Sequence, residues 1–259
     1  MTFLGYEEKR SRFETLARTH TLRHAYLFFG DEGVGKKTFA FMFANFLESG
    51  VFATPERPLI DSTVFSPNEK GVIGIDEMRT LKKFLFQKPF VSPKRFAIID
   101  QSECLTEEAA SALLKIVEEP PSYALLIFVA QNTESFFSPL LSRFTKEYFP
   151  RLSDVEVEEI LKKNYDVSEK RAKEIAAQCF GRLGRAIHQI EKKKEKKKEE
   201  ETIQDMIERR IVELRAKDRI THSKKLSWLL DRLTLVKRYN VNPKLQSKGV
   251  QYIIDKKHE

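Results

Sequence analysis

The sequence predicts an α/β fold. A largely parallel sheet with covering helices is expected over residues 1–150, a small helical domain over 151–190 and a short basic helical domain over 203–259. Three observations carry this. Apolar strand-like runs alternate with helix-like periodicity through the first 150 residues. A glycine-rich turn, Gly30-Asp-Glu-Gly-Val-Gly35-Lys36, joins the first such run to the first such helix. From Ser153 onward the pattern is helical only.

Ala25 to Phe29 is a short apolar run ending at Gly30, the signature of a buried strand, and a helix pattern follows from Lys37 to Leu47. The segment 50–75 holds Pro55, Pro58 and Pro67 and little periodicity, so it is expected to be mostly loop, with Thr63 to Phe65 as a possible strand. Arg95 to Asp100 is a second buried strand. Thr106 then offers an N-cap hydroxyl, with Glu107 and Glu108 in the first turn where the helix dipole favours acids. That helix should run to Glu118, because Pro120-Pro121 cannot continue it. Leu125 to Ala130 is a third buried strand, and Lys146 to Phe149 a further one.

Ser153-x-x-Glu156 has the reciprocal pattern of a capping box. Helices are expected at 153–163, 168–179 and from 183, with Gly181 at a C-cap position. Residues 191–202 are nearly all charged and form either a solvated helix or a linker. The remaining 203–259 is helical in pattern and broken at Asn242-Pro243.

The net charge of +8 is uneven: residues 1–150 carry 18 Lys/Arg against 19 Asp/Glu, and 151–259 carry 28 against 19. Such a surplus either neutralises phosphates or keeps a surface solvated, and six of the lysines sit in one run, which favours solvation. No apolar run approaches the roughly 20 residues that cross a bilayer, and the start lacks a signal peptide's apolar stretch. A cytoplasmic protein without a membrane partner is therefore expected. Cys104 and Cys179 have no Cys or His neighbour at ligand spacing, so they read as small buried hydrophobes, with no disulfide, zinc or other metal site.

The chemistry concentrates in three places. Gly30, Gly33 and Gly35 let the backbone close around an anion, the helix start points N–H groups at phosphate oxygens, and Lys36 reaches the terminal phosphates. A working loop has Ser or Thr next, to hold Mg²⁺, but here that position is Lys37. Thr38 comes one residue late, a rotation of about 100° that should turn it elsewhere. Second, the strand Arg95–Asp100 ends in an acid suited to a metal's water shell, yet Gln101 follows, and an amide cannot take a water's proton. Third, Arg143 sits between the third strand and the last, where a guanidinium of a ring assembly can reach a neighbour's nucleotide.

Together these motifs resemble the clamp-loader branch of the AAA+ ATPases. His24-Ala-Tyr-Leu-Phe28 looks like that branch's first strand, and Ile73-Gly-Ile-Asp76-Glu-Met-Arg79 is similar to the helix before its second conserved strand. Ala112-Leu-Leu-Lys115-Ile-Val-Glu118-Glu119-Pro120-Pro121 resembles its ALLKxLEEPP segment. Ser142-Arg143-Phe144 resembles its Ser-Arg-Cys motif, and Asn240-Val-Asn242-Pro243 a late collar segment. The resemblance covers roughly residues 20–190 and implies a P-loop AAA+ domain (1–150), a helical lid (151–190), a charged linker or helix (191–202) and a reduced collar (203–259).

The family's bacterial members with this body plan are the gamma/tau motor and the delta-prime stator. The resemblance assigns Gly30, Gly33, Gly35, Lys36, Thr38 and Asp100 to a degenerate nucleotide site. Lys37, Gln101 and Gly184 stand where the motor keeps its metal-holding hydroxyl, catalytic Glu and nucleotide-sensing Arg, and the sensor position falls at Gln131 or Asn132. Arg143 is kept. The pattern is similar to delta-prime: ATP bound weakly or not at all, no ATPase activity of its own, and Arg143 acting in trans. The partners implied are gamma/tau and delta subunits, and, through the complex, a sliding clamp and primed DNA, with Arg79 and the basic C-terminal region as DNA contacts. The family's four zinc-module cysteines are absent and the collar region is short. Two alternatives stay open: an active gamma/tau-like ATPase, and a replication adaptor that binds no nucleotide.

Overall fold

The computed structural model describes residues 6–134, 136, 138–165 and 167–191, with further positions at 207–208, 211–212, 227 and 229–231. Five strands, β1 (Ala25–Phe29), β2 (Ser62–Phe65), β3 (Arg95–Ile99), β4 (Ala124–Ala130) and β5 (Thr145–Tyr148), form one sheet in the order β2-β3-β4-β1-β5. Every pairing is parallel. β3 and β4 are buried along their whole length, as helices on both faces of a parallel sheet require. The edge strands β2 and β5 are only partly covered.

The helices are α1 (Glu7–Arg18), α2 (Lys36–Ser49), α3 (Ile75–Leu85), α4 (Glu107–Glu118), α5 (Ser138–Leu141), α6 (Asp154–Tyr165), α7 (Glu169–Cys179) and α8 (Leu183–Glu191). Local chemistry fixes their starts. Thr106 Oγ1 accepts from Ala109 N–H at 3.2 Å and caps α4. Ser153 and Glu156 form the reciprocal box that opens α6. The Glu77 carboxylate accepts from Gly74 N–H at 2.9 Å ahead of α3.

The structure adds two helices to the sequence reading. Helix α5 is a single turn, too short for periodicity to register. Helix α1 buries only Phe13 and is otherwise polar, so its apolar stripe is one residue wide. Phe13 nonetheless meets the rings of Tyr26, Phe28, Phe39 and Phe43 at centroid distances of 5.1–5.7 Å. Truncating a ring so enclosed costs about 3–5 kcal/mol.

A second feature outside the sequence reading is ionic. Arg95 and Asp61 pair at 2.7 Å with side chains 7% and 0% exposed. The Asp61 carboxylate also accepts N–H bonds from Phe90, Val91 and Ser92. Burial alone would raise the Asp61 carboxyl, but these donors and the guanidinium outweigh it and hold it below the usual range. The pair thereby ties the loop before β3 to the approach to β2. Cys179 is buried as expected, but Cys104 closes a 3₁₀ turn, Ser102–Cys104, and is only half-buried.

Residues 1–187 pack as one compact unit and 188–259 as another. The described part of the second unit is helical and buries Ile207, Glu208, Ile211 and Leu229. The expected linker beyond residue 191 and most of the expected collar, including Asn240 to Pro243, lie outside the described residues. No helix among the described residues is long and apolar enough to cross a membrane.

Candidate functional site: a phosphate loop filled by its own cations

The loop between β1 and α2 is shaped by its glycines. Gly33 and Gly35 hold φ of +77° and +105°, a region that side-chain-bearing residues enter at a cost. Gly30 is required by contact, since a Cβ there would run into the Phe149 carbonyl oxygen at the end of β5. Helix α2 begins at Lys36, so its first N–H groups open onto the loop.

A cavity of about 450 Å³ lies against this loop. Gly33, Gly35, Lys36, Lys37, Thr38, Asp100 and Gln101 line one side, while Met42, Ile160, Leu183 and Ile187 supply apolar wall. The structure thus brings five of the six predicted nucleotide-site residues, Gly33, Gly35, Lys36, Thr38 and Asp100, onto one cavity, together with Lys37 and Gln101. Gly30 is not part of the lining and acts through its carbonyl instead. Thr38 also lines the cavity, beside Lys37. The first turn of α2 is itself part of the wall, so successive residues reach the same space.

Lys36 is 6% exposed, and its Nζ donates to the Gly30 and Asp31 carbonyl oxygens, both at 2.6 Å. Burial lowers its ammonium to about 8, against the opposing pull of Glu103, Asp31, Glu32 and Asp100. Lys37 reaches across to Asp100, with Nζ 2.7 Å from Oδ2. The residue in the metal-holding position is therefore paired with the acid that would face the metal. Residues before α6 and in α8 reach the same loop: Gly184 N–H donates to Gly33 O at 2.7 Å, and Arg151 pairs with Asp31 at 2.5 Å. A Cβ on Gly184 would lie 3.1 Å from Gly33 O, so an arginine at this position would crowd the loop.

Sequence reasoning missed Glu103. The 3₁₀ turn after β3 carries it into the cavity lining, where burial pushes its carboxyl up despite N–H bonds from its own backbone and that of Gln131. An acid three residues past a strand-end Asp was the only signal available. Of the two sensor candidates, Gln131 lines the cavity, whereas Asn132 caps the following turn by accepting from Glu134 N–H.

Arg143 is not among the cavity-lining residues. It follows α5 and precedes the edge strand β5, exposed, with Nη1 donating to Pro139 O at 2.6 Å and Nη2 to Glu118 Oε1 at 2.5 Å. Glu118, 45% exposed, is the second partner that the sequence reading did not identify. Arg79 lies on an exposed face of α3, paired with Asp76 at 2.9 Å.

A family model described as DNA polymerase III, delta subunit, matches residues 5–153. The chain belongs to this family. As a clamp-loader AAA+ relative it is also similar to the DNA polymerase III subunit gamma/tau of Mycobacterium tuberculosis, 33% identical over 153 residues, which are 54% of this chain and 26% of that protein. It is 28% identical over 196 residues to the gamma subunit of Buchnera aphidicola from Acyrthosiphon pisum, covering 68% of this chain and 53% of the relative. The chain thus spans about a quarter to a half of the length of these relatives.

Among solved structures, the gamma subunit-related protein of Thermotoga maritima matches with a TM-score of 0.55 at 17% identity, over 93% of this chain and 97% of that one. The RuvB Holliday junction branch migration motor of the same organism matches at 0.53 and 20%, over 72% and 60%. At these identities the likeness is one of fold, and it agrees with the predicted P-loop AAA+ architecture.

Proposed function

We propose that this chain is a delta-prime-type stator of a clamp loader: a cytoplasmic, non-hydrolysing subunit that lends Arg143 to the nucleotide site of a neighbouring gamma/tau-like ATPase. The complex, with a delta subunit, would open a sliding clamp and place it on primed DNA. The observation that carries this reading is the Lys37–Asp100 pair at 2.7 Å. It puts an ammonium where an ATPase of this fold needs a divalent ion, while Gln101 offers no base to an attacking water. Arg143 stays exposed between α5 and β5, held by contacts that an incoming phosphate can replace.

The gamma/tau names of the matched relatives favour a second reading, an active motor. One assay series on the reconstituted complex separates the two. The stator predicts that the isolated chain is inactive and that Arg143→Ala sharply lowers ATP hydrolysis by the complex. Magnesium-dependent turnover by the isolated chain, abolished by Lys36→Ala, supports the motor. An inactive isolated chain together with a complex ATPase indifferent to Arg143→Ala supports an adaptor.

A further inference from the structure

We propose that Lys37 is a built-in substitute for the metal ion, so that the cavity takes the phosphate chain of a nucleoside polyphosphate without Mg²⁺. This rests on reading the cavity as a nucleotide pocket and is independent of the role given to Arg143. Three observations support it. Lys37 and Lys36 line the same cavity at the start of α2, where backbone N–H groups favour an anion, alongside the carboxylates Glu32, Asp100 and Glu103. Met42, Ile160 and Ile187 give the cavity an apolar region suited to a base. Asp100, the carboxylate that would otherwise face a divalent ion, is already matched by an ammonium.

That ammonium sits on a flexible stem and is 44% exposed. It can turn from Asp100 toward a phosphate oxygen while remaining hydrogen-bonded to the carboxylate, because an ammonium has three donors. A divalent ion, by contrast, would have to displace the Lys37 ammonium from Asp100 and would lack the hydroxyl ligand that position 37 normally supplies, with Glu32 and Glu103 as the other carboxylates lining the cavity. Lys36 fills the complementary role: without ligand, its Nζ is held by two loop carbonyls and has a donor left for an anion.

The test is an equilibrium titration of the full purified chain with fluorescently labelled ATP, in EDTA and in Mg²⁺. For the unaltered chain, affinities in the two buffers are expected to agree within about twofold. Lys37→Ala should weaken binding in EDTA at least about tenfold, the loss of a charge-assisted bond. Lys37→Ser should restore a preference for Mg²⁺ of about tenfold or more. Asp100→Asn, which frees the ammonium, should keep or tighten binding in EDTA. Circular dichroism melting would establish that each variant is folded. The idea fails if the unaltered chain binds at least tenfold tighter with Mg²⁺, if folded Lys37→Ala binds as well as the parent, or if no saturable binding is seen. The last result would remove the pocket's ligand and leave the Arg143 assay untouched.

Discussion

Two cations of this chain are each matched to a carboxylate of the same chain, Lys37 to Asp100 at 2.7 Å and Arg143 to Glu118 at 2.5 Å. Their settings differ. Asp100 is 13% exposed and shares its cavity with glycine backbone, the buried Lys36 and Glu103, so the Lys37 pair lies within the cavity. Glu118 is 45% exposed and Arg143 37%, so both members of the second pair, at the end of α4 and after α5, are open to solvent. Water screens the second pair and leaves it weak, hence exchangeable. On the proposed reading, the same chemistry fills the chain's own site in one place and keeps a guanidinium available for a neighbour in the other.

The largest break of this comparison is Arg143→Ala. If the guanidinium serves a neighbour, hydrolysis at that one site should slow on the order of 10³-fold. Arg143→Lys should recover little, because an ammonium lacks the planar fork. Single-turnover ATPase of the reconstituted complex measures both. An unchanged rate would make the Arg143–Glu118 pair a surface feature only.

A second break acts on the loop itself. Gly30→Ala places a Cβ against the Phe149 carbonyl oxygen at φ of +142° and should destabilise the folded chain by about 1–3 kcal/mol. Urea unfolding would report it. The pocket's shape is set by backbone, and a loss below measurement error would mean the loop is looser than its contacts imply.

How much of this was legible beforehand follows the same division. Strand-like runs, the phosphate loop, the Thr106 cap and the Ser153–Glu156 box are local patterns, and each stands where its residues predict. The departure at Lys37 was legible too, because that residue directly follows the loop lysine. What that lysine touches was not: Asp100 is far along the chain, and only the parallel register of the sheet brings the two together. Glu118 and Arg143 are joined in the same way, across α4, β4 and α5. Helix α1 escaped for another reason, since a helix anchored by one aromatic leaves no period to read.

A third test sharpens the contrast by pH. Lys36 sits at about 8 in the folded chain, so an anion in the pocket should bind well near pH 7 and lose affinity as pH rises through 8, by about tenfold per unit once past it. Lys36→Arg, which stays charged, should flatten that profile at whatever affinity it retains. Folding runs the opposite way. The unfolded chain holds this proton up to an ordinary lysine value of 10.5, so between about pH 8 and 10.5 it binds more protons than the folded one, and this group's contribution to stability rises. Opposite slopes for binding and stability, both abolished by Lys36→Met, would assign them to one ammonium.

The smallest expected effect is at the exposed pair. Glu118→Gln keeps the shape of the side chain and removes its charge, so the guanidinium loses its ionic partner but keeps the Pro139 carbonyl. A surface pair contributes little, and freeing it should raise hydrolysis by the complex no more than about fivefold. The direction matters more than the size. A rise means Glu118 competes with the neighbour's phosphate for Arg143, as an exchangeable holder must. A fall means the carboxylate positions the guanidinium for that phosphate, and the pair would then resemble Lys37–Asp100 in belonging to the working site.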